Sequence, residues 1–271
     1  MRKYLLMVLI LLFAAFFFMR NQDKPVLRIG MECDYAPNNW EEKEPSNSNL
    51  PITNHEGFYA EGYDLQIAKV IADKLGYKLE VKKYDWNKLI AALNNKEIDA
   101  VFSGMFDTAD RRKRAAFSET YEVEKTIYGV IVNVNSKYKN SRTLNEFIGA
   151  KFTAQKNTEL EAAINLIPGA VHAEPVETVR EMLDELTSGR VDATVINLDT
   201  GRSYERRFKN LKLIELPKGK GFTFHFKGVC AAVRKDDTEL LKDINKILSR
   251  LSKKERQKIM DNVIQRLWAS S

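Results

Sequence analysis

Two stretches of the chain follow one pattern. Residues 88–102 read KLIAALNNKEIDAVF and residues 182–196 read MLDELTSGRVDATVI. Each is an amphipathic helix, a polar turn, an apolar residue, Asp, Ala and then a buried strand. The aligned residues are Ile98-Asp99-Ala100 and Val191-Asp192-Ala193. A repeated unit of this kind implies two similar bodies, each burying its own sheet. Around the repeats, extended and helical patterns alternate. Val26–Met31 reads as a strand. Tyr63–Leu75 sets Leu65, Ile67, Ala68, Ile71, Ala72 and Leu75 at helical spacing, with Gly76 as the stop. Leu79-Glu80-Val81 is extended, Trp86–Leu93 is helical, and Ile98–Phe102 reads as a buried strand. Such alternation predicts parallel sheets with helices on both faces, an α/β fold.

At 271 residues the chain is long enough for two domains of ordinary size. Two segments are suited to cross between them. Thr126–Val134 (TIYGVIVNV) is rich in β-branched residues, and Pro217–Val233 (PKGKGFTFHFKGVCAAV) is Gly-rich and then strand-like. The expected division is a signal or anchor segment at 1–24, a first lobe of 25–130 plus 222–271, and a second lobe of 131–221. Two crossings make a hinge that closes around a ligand. Asp34–Gly62, polar and containing several Pro, Asn and Ser, reads as a long surface loop. Thr238–Trp268 has helical periods and returns to the first lobe.

The N-terminus is a separate signal. Met1-Arg2-Lys3 is basic, Tyr4–Met19 is apolar throughout, and Arg20 to Lys24 ends the run. This is the pattern of an export signal, slightly short of the roughly 20 residues of a comfortable membrane span. It has no small-residue cleavage site and no nearby cysteine for lipid attachment. The segment is therefore read either as retained, an anchor on the outer face of the cytoplasmic membrane, or as cleaved to release a secreted protein.

Of the net charge of +6, the leader supplies +3. What remains is too little for nucleic-acid binding, which needs a clustered basic patch. The one dense basic run, Arg111 to Arg114, reads as a helix start. His55, His172 and His225 are scattered, and no catalytic, metal-ligating or phosphate-binding motif is present. No cofactor and no catalytic residue is expected. Cys33 and Cys230 are the only cysteines. They either pair across an exported protein or act as small buried hydrophobes.

Four passages carry a resemblance. They are MECDYAPNNW (31–40), GYDLQIAKVIADKLG (62–76), DAVFSGMFDTADRRKRAAFSETY (99–121) and SGRVDATV (188–195). With them the chain resembles the polar amino-acid solute-binding proteins of ABC transporters, close to Gram-positive forms, from Leu27 to about Leu267. The resemblance implies a type II periplasmic-binding-protein-like fold, two lobes with a ligand cleft between them. It implies that Arg111 grips the ligand's α-carboxylate, a role a planar guanidinium fills with two parallel hydrogen bonds. Backbone groups around Gly104 and Met105 would complete that grip. Tyr35 and Trp86 would sandwich the ligand side chain between ring faces, and Glu32 would meet a polar or cationic end.

Three positions depart from the pattern. The strand after Val191-Asp192-Ala193 ends in Asn197, where relatives carry an acid for the ligand's α-ammonium. Phe106 replaces a hydroxyl residue. The second-lobe Q-x-G-T becomes Gln155-Lys156-Asn157-Thr158, followed by Glu159. Asn157 tolerates a left-handed turn, and Thr158 keeps its place. Glu159 reads first as a solvated carboxylate at a helix start, and otherwise as a replacement for the lost acid. The expected function is capture of a small amino acid or related carboxylate for an ABC permease by lobe closure, as a monomer and without catalysis. The alternatives are a membrane-tethered sensory protein and a cyclic-carboxylate dehydratase on the same scaffold.

Overall fold

The computed structural model describes residues 24–123, 127–223 and 228–269. The apolar leader lies outside the described residues, as do parts of both expected crossings. Among the described residues no helix is long and apolar enough to cross a membrane.

Two five-stranded sheets carry the two lobes. In the first, Val26–Met31 lies between Lys78–Lys83 and Ala100–Val101 and runs parallel to both. Cys230–Val233 is antiparallel to Ala100–Val101 and to Ala116–Thr120. In the second, Lys151–Phe152 lies between Val171–His172 and Ala193–Asn197, parallel to both. Tyr128–Asn133 is antiparallel to Ala193–Asn197 and to Leu211–Ile214.

The expectation of purely parallel sheets is thus corrected: each sheet has one opposing strand. Connectivity explains it. Strands joined by a helical crossover return in the same direction, so their C-terminal ends share one edge, and that edge forms the cleft. A chain arriving from the other lobe starts at the cleft edge and must run the opposite way. Tyr128–Asn133 and Cys230–Val233 are the strands that follow the crossings. All ladder partners of Tyr128–Asn133 belong to the second sheet, so a lobe boundary at 130 cuts a strand.

The sequence echo has a structural cause. Arg28 N donates to Asp99 Oδ2 at 3.0 Å while Asp99 N donates to Arg28 O at 2.7 Å. In the second lobe Lys151 N donates to Asp192 Oδ2 at 2.8 Å and Asp192 N donates to Lys151 O at 2.8 Å. Each aspartate ties the start of its own strand, the central one of its sheet, to the adjacent parallel strand, at the end of the sheet remote from the cleft. Ion pairs from Arg28 and Arg234 reinforce Asp99.

The expected loop at 34–62 is instead a small antiparallel sheet, ordered Asp34–Tyr35, Asn39–Glu42, Tyr59–Glu61, Leu50–Pro51. Its strands of two to four residues are too short to leave a periodic signal. The helix Tyr63–Leu75 follows, ended by Gly76 in the left-handed region at φ 74°. It buries Leu65, Ile67, Ala68 and Ile71 completely, and each buried Leu or Ile contributes about 1.5–3 kcal/mol. The C-terminal helix Lys253–Ala269 packs Val263 and Leu267 on Ala36 and Trp40. Cys33 and Cys230 are buried thiols not joined in a disulfide.

Candidate functional site

The carboxyl ends of α/β strands are where such sheets hold ligands. Glu32 and Tyr35 follow Val26–Met31, Gly104 and Met105 follow Ala100–Val101, Gln155 to Thr158 follow Lys151–Phe152, and Asn197 ends Ala193–Asn197.

Arg111 opens the 3-10 turn Arg111–Lys113 and is only 7% exposed. Its Nη1 donates to Phe106 O at 2.9 Å and its Nη2 to Asn157 O, across the cleft, at 2.9 Å. Its guanidinium carbon stands 4.9 Å from the Trp86 ring centroid, a favourable cation–π distance. Trp86 is buried, and its Nε1 donates to the same Asn157 O at 3.3 Å. Burial pulls the Arg111 guanidinium below its ordinary value, and the charge of Glu159 opposes this. A guanidinium remains charged regardless. A cavity of about 560 Å³ is lined by Trp86, Met105, Arg111, Thr158 and Glu159 among others.

Glu159 corrects an expectation. It is not a solvated helix-start carboxylate but is 8% exposed, with Oε2 3.9 Å from Arg111 Nη2. That oxygen has no hydrogen-bond partner among the described residues. Burial pushes the carboxyl up, and Arg111 pulls it back. The local chain turns it inward. Asn157 adopts the left-handed conformation expected of it, at φ 59°. Thr158 then caps the helix Glu159–Ile164, its Oγ1 accepting from Glu161 N at 3.3 Å and donating to Gln155 O at 2.6 Å.

The other named residues are spread over more space than one pocket. Asn197 is the N-cap of Leu198–Arg207, its Oδ1 accepting from Thr200 N at 2.8 Å, while its Nδ2 donates to Tyr35 OH at 2.8 Å. Tyr35, Gly104, Phe106 and Asn197 border a second cavity of about 280 Å³. Tyr35 and Trp86 therefore line different cavities rather than two walls of one. Gly104 has φ 63°, which favours glycine, and its N–H donates to the buried Asp64. Asp64 also accepts from Tyr121 OH and Asn39 Nδ2, each at 2.7 Å, yet burial still pushes it up to about 7. Glu32, 6% exposed, accepts a short hydrogen bond from Gln155 Nε2 of the other lobe. Burial pushes it up to about 8.

Sequence reasoning missed several cross-cleft contacts. Asn157 Nδ2 donates to Asn87 Oδ1 at 2.8 Å, and Asn87 Nδ2 donates to Glu177 Oε2 at 2.7 Å. Adjacency to Trp86 was the only signal for Asn87. The Asn157 carbonyl had none, because every residue supplies one.

Residues 27–265 match the family model described as bacterial extracellular solute-binding proteins, family 3. The chain belongs to this family. It is 29% identical over 230 residues to the arginine-binding extracellular protein ArtP of Bacillus subtilis (strain 168), covering 84% of this chain and 81% of that protein. It is similar in structure to a substrate-binding protein of an amino acid ABC transporter, with TM-score 0.73, 27% identity, and 89% and 99% of the two chains covered. It is also similar to the ancestral amino acid-binding protein AncCDT-1, a precursor of cyclohexadienyl dehydratase, with TM-score 0.70, 26% identity, and 88% and 95% covered. The fold is accordingly the two-lobed type II arrangement, and the protein is a solute-binding protein.

Proposed function

We propose that this solute-binding protein captures a small amino acid or related carboxylate outside the cytoplasmic membrane and delivers it to the permease of an ABC importer. The observation that carries the reading is Arg111, a buried guanidinium on the wall of a roughly 560 Å³ interlobe cavity. Two of its N–H groups go to Phe106 O and Asn157 O. A guanidinium has five, so donors remain for a ligand carboxylate.

The work of the protein is closure, not turnover. A ligand drives closure only as far as it binds the closed form better than the open one. Polar contacts such as Gln155 to Glu32 and Asn197 to Tyr35 join the lobes. The second lobe is taken to begin at Tyr128, because that strand pairs entirely within the second sheet. The protein acts as a monomer, either held at the membrane by its leader or released after cleavage.

The test is a thermal-shift panel of amino acids and small carboxylates on the purified protein. At least one raises the melting temperature, and Arg111→Ala removes the effect. Silence across the whole panel would sink the transport reading. N-terminal sequencing of the exported protein separates anchor from cleaved signal.

A further inference from the structure

We infer that Glu159 is the cation acceptor of the ligand site, holding the α-ammonium of an amino acid whose α-carboxylate lies on Arg111. The inference rests on the reading above and names the ligand's second anchor.

A desolvated ammonium needs a matching acid, since an unpaired charge in a closed cleft is costly. Asn197 has no charge to offer, and both ends of its amide are committed. Its oxygen caps the helix Leu198–Arg207 and its nitrogen donates to Tyr35. Glu32 is engaged by Gln155. Asp110 also borders the cavity, but it is exposed and paired with Lys113 and Arg114. Glu159 is the acid left over. It is more than nine-tenths buried, it borders the same cavity as Arg111, and its Oε2 accepts no hydrogen bond among the described residues. Buried carboxylate oxygens nearly always have donors, and an ammonium brings three. Arg111 does not satisfy that oxygen, because 3.9 Å is beyond hydrogen-bond range. The two groups instead form adjacent positive and negative points. That pattern complements a zwitterion whose own charges branch from a single carbon.

A competing role is that Glu159 merely balances the charge of Arg111. Calorimetric titration of the full protein distinguishes the two. The probes are the α-amino acid giving the largest thermal shift and the same molecule with hydrogen in place of its α-ammonium. Wild type is expected to prefer the amino acid by roughly 10- to 100-fold, the scale of one hydrogen bond to a charged group. Glu159→Gln is expected to lose that preference while still binding the des-amino probe, which reports that Arg111 and the fold are intact. The inference is overturned if wild type has no preference, or if Glu159→Gln keeps it. It also falls if Glu159→Gln binds both probes more tightly, as removal of a counter-ion would cause, or binds neither while still melting cooperatively. Should Glu159→Gln not fold, Glu159→Asp, which withdraws the charge by one methylene, is read by the same ratio. A wild type silent to every amino acid would instead remove the transport reading itself.

Discussion

Arg111 and Glu159 come from different lobes and meet in the buried floor of the cleft, Nη2 to Oε2 at 3.9 Å. Neither residue is near the other in sequence, and neither is solvated. Closing the lobes therefore brings a guanidinium and a carboxylate together in a setting where each depends on the other for charge balance.

Removing one partner exposes that dependence. Arg111→Ala should abolish ligand binding and also destabilise the free protein by about 1–3 kcal/mol, because a buried carboxylate loses its cation. Arg111→Ala with Glu159→Gln should recover part of that stability but none of the binding. Arg111→Lys should bind poorly, since a point charge cannot hold Phe106 O and Asn157 O and still present a planar fork. Scanning calorimetry with and without ligand reads all three.

Glu32 gives the protein a pH dependence of definite sign. Its folded value, about 8, is raised from an ordinary 4.5, first by burial and against the opposing hydrogen bond from Gln155. The folded state therefore holds the proton more tightly than the unfolded chain. The associated stability is complete below pH 4.5 and is lost as pH rises towards 8. Glu32→Gln should flatten this decline in urea titrations repeated across that range. An equally steep decline in the variant would assign it to the other buried carboxyls, Asp64, which burial raises to about 7, and Glu159, which burial also raises.

The bond from Asn197 to Tyr35 links the lobes, whereas the bond from Thr200 to Asn197 is internal to one. Tyr35→Phe should cost about 0.5–1.5 kcal/mol in ligand affinity, with little effect on unfolding of the separate lobes. Asn197→Ala should lose that bond and also the helix cap, about 1 kcal/mol of global stability. A Tyr35→Phe protein melting as low as Asn197→Ala would contradict this division.

Asp99 and Asp192 should matter for folding only. Replacing either by Ala leaves strand N–H groups without their acceptor and should cost about 1–3 kcal/mol, with ligand affinity unchanged. Burial acts to raise Asp99, but the bonds and charges of Arg28 and Arg234 outweigh it and hold the carboxyl low. Its stability contribution is therefore present above pH 3.8 and lost as the solution is acidified below that. Urea midpoints at pH 3 and pH 7 for wild type and Asp99→Ala measure the difference.

The duplicated Ile98-Asp99-Ala100 and Val191-Asp192-Ala193 already specified two similar lobes, because a strand start that must be tied to its neighbour needs the same residue types each time. Helical spacing specified Tyr63–Leu75, and the family resemblance of the passage 99–121 singled out Arg111. These are local facts, written in neighbouring residues. The opposing strand in each sheet, the short-stranded sheet at 34–62 and the cross-cleft bonds of Asn87, Gln155 and Asn157 depend on segments far apart in the chain. Glu159 is the sharpest case. Its sequence context is that of an exposed helix start, and only the approach of the first lobe buries it against Arg111. Sequence determined the two lobes and singled out Arg111 as the proposed carboxylate anchor. The packing of one lobe on the other decided which acid faces it, because burial of a charge is a property of the assembled cleft and not of any segment.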